Sequence, residues 1–163
     1  MANTQFDPDK GPLFQGEFRE VTVIDPAVPG HEPNLVLDRT KPFQVRVTWR
    51  LRGTDVLLYL AALEPDFKVA CYAESMGPGP EVILAEEDEP VSNLTPVGPN
   101  EWEWTHTLSV AANTLAEENP GPAGPSGTYR LVSTVFLNSA IPGGSYDIAG
   151  FSDGPMIKVE NPA

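Results

Sequence analysis

Two histidines, one cysteine and 23 carboxylates are the residues with which this 163-residue chain would have to do acid–base, nucleophilic or metal chemistry. Their spacing argues against most of it. The sequence holds no Gly-x-Ser-x-Gly elbow, no phosphate loop, no His-Glu-x-x-His pair and no Cys-x-x-Cys. His31 lies in a Pro-Gly loop, where a solvated ring is expected. His106 shares the parity of Trp102 and Trp104 on an alternating stretch, which marks it as a structural residue tucked against the core. Cys71 falls among alternating apolar residues (Phe67, Val69, Ala73) and is expected to be buried and unreactive. A Cys71–His106 dyad would have to form inside that core, sealed from substrate. Paired carboxylates can hydrolyse glycosides, but at this density of acids some close pair is inevitable. A small carboxylate-based hydrolase is therefore the least favoured reading.

The run Glu86-Glu87-Asp88-Glu89 offers oxygen ligands of the kind calcium takes. It lacks the spaced acids of a calcium loop, and consecutive acids at a strand end point to opposite sides. It is expected to be a solvated run. No catalytic, metal or cofactor site is assigned, and the chain is expected not to be an enzyme.

Three segments could bind instead. The connection Asn138–Pro155 carries Tyr146, Asp147, Phe151 and Asp153, aromatics with interleaved acids that would suit a sugar ring or a protein partner. The competing expectation is that Ile148 and Phe151 fold back and plug the end of the fold. Arg46, Arg50 and Arg52 form a ridge that either pairs with neighbouring acids or takes an anionic ligand. Val82-Ile83-Leu84 is a short apolar edge that could accept a partner strand.

The elements that position these residues are short strands. Phe43–Arg52 alternates cleanly, with Phe43, Val45, Val47, Trp49 and Leu51 on one face and polar residues on the other. Glu17–Ile24, Phe67–Glu74, Val82–Ala85, the stretch from Glu101, Thr128–Leu137 and Met156–Glu160 complete the strands. Ala111–Glu118 suggests a turn of helix, and Val56–Leu63 fits a strand or a helix. With 14 glycines and 18 prolines, long helices are excluded and turns are frequent. Seven to eight short strands with long Pro/Gly-rich loops predict an all-β chain, a single antiparallel β-sandwich.

Ser126-Gly127-Thr128-Tyr129-Arg130-Leu131 resembles the start of the penultimate strand of immunoglobulin-like and fibronectin-type sandwiches, where a Gly-x-Tyr opens the strand. The resemblance covers about residues 17–160 and concerns the fold alone. It implies that the Tyr129 hydroxyl bonds back to the preceding corner. It also implies that Phe43–Arg52 lies beside Glu101–Val110, setting the arginine ridge against Glu101 and Glu103. The chain then divides into a flexible or draped arm (1–16), an immunoglobulin-like sandwich domain (17–160) and a tail (161–163).

Charge narrows the partners. The net charge is −13, which repels a nucleic-acid backbone and an anionic membrane surface. It is uneven: −3 over residues 1–80 and −10 over residues 81–163. That asymmetry serves solubility or forms an acidic face for a basic partner or divalent cations. No apolar run reaches the ~18 residues of a membrane helix, so no membrane insertion is expected. With no secretory leader visible and one cysteine, a cytoplasmic location is expected. The functional expectation is a non-enzymatic protein-interaction or assembly module that presents end loops and a sheet edge to a protein partner, one with a basic surface. A carbohydrate-binding module using exposed aromatics is the alternative.

Overall fold

The computed structural model describes residues 3–119, 121, 124–141 and 147–160. They form two packed sheets. A four-stranded sheet has the order β2 (Gln15–Ile24), β4 (Phe43–Arg52), β8 (Glu101–Val110), β7 (Thr95–Gly98). The facing six-stranded sheet runs β1 (Asn3–Asp7), β10 (Ile148–Glu160), β9 (Thr128–Leu137), β5 (Asp66–Ser75), β6 (Val82–Pro90). β3 (Val36–Asp38) adds to β10 as its parallel neighbour; the other pairings are antiparallel. The all-β sandwich expected from the alternation is present.

Period-2 patterning builds the core. Every odd residue of β4 from Phe43 to Leu51 is buried, facing Phe67, Val69, Cys71 and Ala73 of β5 and Tyr129, Leu131, Val135 and Leu137 of β9. Trp49 and Trp104 stack with ring centres 6.3 Å apart, and Phe67 meets both edge-on at 5.2 and 5.0 Å. The Trp104 indole N–H donates to the Val91 carbonyl (3.0 Å), whereas the buried Trp49 Nε1 has no hydrogen-bond partner among the described residues.

β4 and β8 are neighbours, with Arg50 opposite Glu103 and Arg52 opposite Glu101. The Tyr129 hydroxyl donates to the Ala116 carbonyl at 2.8 Å, across the corner that precedes β9. Both relations match what the sandwich resemblance implied.

Elsewhere the structure selects among the expected alternatives or departs from them. Residues 3–16 of the arm are draped and paired: β1 lies along β10, and Phe14 is fully buried. Phe6 holds it there, its ring packed on Phe18 (5.0 Å) and over Gly16 and Gly150, where any Cβ would collide with it. Val56–Ala61 is a short helix, α1, whose Val56 and Leu60 are buried. Ala111–Glu118 makes no helix; Asn113 takes a φ of 63°, and its N–H donates to the Arg39 carbonyl (2.8 Å). β6 runs on past the expected end at Ala85 and takes in the acidic run. The connection expected through Pro155 ends early, because Ile148 already opens β10. Its turn signal, Gly154-Pro155, sits in a bulge between Asp153 and Met156, and pairing with β9 and β1 keeps the flanking residues in the sheet.

Candidate functional site

The arginine ridge is occupied by its own neighbours. Arg46 Nη2 lies 3.0 Å from Glu20 and 2.9 Å from Glu32. Arg50 is bound to Glu103 and, at 3.4 Å, to Glu101. Arg52 Nε donates to the Gln15 amide oxygen (2.9 Å). Hydrogen bonds to Glu103 for Arg50 and to Glu20 for Arg46 hold both guanidiniums above their ordinary range. Glu101 and Glu103 were legible partners; Glu20 and Glu32 were not, because strand register and the loop after β2 deliver them.

The residues proposed from the 138–155 connection are spread apart. Tyr146 lies outside the described residues. Asp147 accepts from the Ser139 N–H (2.9 Å). Phe151 and Asp153 stand on β10, not in a loop. Asp153 pairs with Arg130 at 3.2 Å. Ile148 is the residue that plugs the core. Phe151 points outward, 41% exposed, against Phe136 of β9, which is 38% exposed. Their rings meet at 5.8 Å and 88°.

His106 is held between two carboxylates of β6. Its Nδ1 lies 2.9 Å from Glu89 and its Nε2 3.1 Å from Glu87. The Ser109 N–H also donates to Glu87 (3.1 Å), and the Asn93 amide to Glu89 (3.3 Å). Alternation turns Glu87 and Glu89 toward the opposite sheet while Glu86 and Asp88 face outward. The histidine is structural, as expected, but half of the acidic run is a latch between the sheets rather than a solvated stretch. No cluster of three or more metal-ligating side chains occurs among the described residues.

The surface that sequence reasoning missed is one end of the sandwich. There α1, the 3-10 turn Gly11–Leu13 and residues 138–141 are stitched together by backbone bonds. Asp55 N–H donates to Leu13 O (3.0 Å), Gly53 N–H to Asn100 O (2.8 Å), Glu64 N–H to Asn138 O (2.8 Å) and Ala140 N–H to Ala62 O (3.3 Å). This hydrogen-bonded frame exposes apolar side chains. Leu57 is 52% and Leu58 72% exposed, with Leu13 and Ile141 also exposed nearby. A depression of about 330 Å³ beside Leu58 is lined by Asp55, Tyr59 and Ala62. An apolar octet such as Val56–Leu63 reads as core in sequence; only its helical turn shows that Leu57 and Leu58 face away from it.

No protein-family model matches the chain, and no curated protein sequence matches it. Among solved structures it is similar to the C-terminal domain of wzt, with a TM-score of 0.49 and 5% identity over 99% of this chain and 80% of that one. No helix among the described residues is long and apolar enough to cross a membrane.

Proposed function

We propose that this chain is a non-enzymatic protein-interaction or assembly module on an immunoglobulin-like sandwich, located in the cytoplasm. Its docking surface is the α1 end. The observation that carries this reading is the pair of consecutive exposed leucines, Leu57 and Leu58, on a hydrogen-bonded frame. Burying each against a partner would contribute about 1.5–3 kcal/mol, and a frame already hydrogen-bonded lowers the ordering cost. Asp55, Glu64 and Asp147 belong to the same end, so the partner that fits is an apolar segment flanked by basic residues. The test is affinity capture from lysate with wild type and with the double variant Leu57→Ser, Leu58→Ser. A partner retained at ~0.5 M salt by wild type and lost by the variant, at unchanged melting temperature, supports the reading. Equal capture by both would remove α1 as the docking surface.

The carbohydrate reading is favoured by one observation, the exposed Phe136–Phe151 pair. Edge-to-face rings do not offer the coplanar platform on which a sugar stacks, which ranks this reading second. A glycan panel with wild type and Phe151→Ala tests it; a glycan that binds only wild type would reverse the ranking.

A further inference from the structure

We propose that the first half of β6, Val82–Glu86, is a strand-addition site for an extended basic segment of another protein. Among the described residues β6 pairs with β5 alone, so the other side of its backbone faces outward. The other sheet edges are shorter or covered: β1, at the far edge of the same sheet, has five residues and packs through Phe6 onto Phe18 of β2. β7 has four residues and includes Pro96, and β3 has three. The edge of β2 is covered where the Asn34 N–H donates to the Val23 carbonyl (2.9 Å) and where Phe6 of β1 packs on Phe18. The second half of β6 is tied across to β8 through Glu87, Glu89, His106 and Ser109. Among the described residues the longest edge stretch left without a strand partner or a cross-sheet tie is Val82–Glu86.

That stretch has an anchor. Ile83 is 60% exposed on the outward face and borders a groove of about 440 Å³ formed with Tyr72, Glu74 and Val132. Main-chain bonds to β6 would supply affinity, and an apolar side chain covering Ile83 would fix the register. Charge selects the occupant. Glu81 and Glu86 are exposed along the edge, while Asp88 beyond them is paired with Lys68 at 2.8 Å. Pairing two copies of β6 would set carboxylates against carboxylates, which destabilises a ladder. A strand alternating Lys or Arg with apolar residues meets the same edge with opposite charge.

The inference shares with the proposed function the premise of a protein partner, but it uses a different surface. The experiment titrates isotope-labelled protein with a short synthetic peptide alternating lysine and valine, following backbone amide resonances. The expected result is saturable shifts confined to Val82–Glu86 and the facing residues of β5. They vanish with the same peptide N-methylated at every second residue, and Ile83→Lys weakens binding by about tenfold. Leu57→Ser, Leu58→Ser leaves the titration unchanged. Shifts centred elsewhere, equal binding of the N-methylated peptide, or no shift overturns the proposal. Binding at β6 in a protein whose α1 variant still captures its lysate partner would leave this site standing and remove the α1 surface; the opposite pattern would do the reverse.

Discussion

Burial pushes the Cys71 thiol from an ordinary 9.0 up to about 12, only partly offset by the Ser133 hydroxyl that donates to its sulfur (3.7 Å). A thiol reagent at pH 8 should therefore find no reactive group in the native protein and one equivalent after denaturation. The sign of the pH effect follows from linkage. Above about pH 9 the unfolded thiol loses its proton while the folded one keeps it, so stability falls by up to about 1.4 kcal/mol per pH unit. Urea midpoints measured from pH 7 to 11 check this. Burial shifts the Tyr129 hydroxyl upward as well, which acts in the same direction. Tyr129→Phe removes the donor to Ala116 and should cost about 1–3 kcal/mol, seen as a lower urea midpoint with an unchanged slope. Both roles were legible before the fold was known: parity buried Cys71, and the Gly-x-Tyr sequence marked Tyr129. The partners of Arg46 were not legible, because Glu20 and Glu32 reach it only through strand register and loop path.

At the scale of elements, the junction of α1 with the 3-10 turn depends on Gly53. Its φ is +137°, and a Cβ there would lie 2.2 Å from the Leu13 carbonyl oxygen. Gly53→Ala should cost about 1–3 kcal/mol, and it should disturb the α1 end, visible as amide shifts at Leu13 and Asp55. The cross-strand set of Arg50, Glu101 and Glu103 should contribute less: a double-mutant cycle of Arg50 and Glu103 should give a smaller coupling than the Gly53→Ala loss, and a smaller one again at ~1 M salt. Strands with uninterrupted alternation, β4, β5 and β9, could be read directly. β10 could not, because Gly150 and Gly154-Pro155 imitate turns: Gly150 is small to admit the Phe6 ring, and the bulge absorbs the other two. The acidic half of β6 was equally hidden. Its residues are poor strand formers, and pairing with β5 and the His106 latch overrides that preference.

Across the whole molecule, 23 acids face 10 basic side chains. Most described cations are already paired, so the excess carboxylates repel one another. Raising salt from ~0.05 to ~0.5 M should screen that repulsion and raise the melting temperature by roughly 2–4 °C, the effect of about 1 kcal/mol on a chain of this length. A fall would mean that the ion pairs outweigh the repulsion. The sequence alone determined the fold class, the buried faces and the acidic character, because alternation and charge are local properties that survive whatever the chain packs against. The tertiary structure decided which surfaces remain available. Exposure of Leu57, Leu58 and Ile83, and the latching of Glu87 and Glu89 onto His106, depend on which elements come to lie beside them across the sandwich, and no local pattern encodes that.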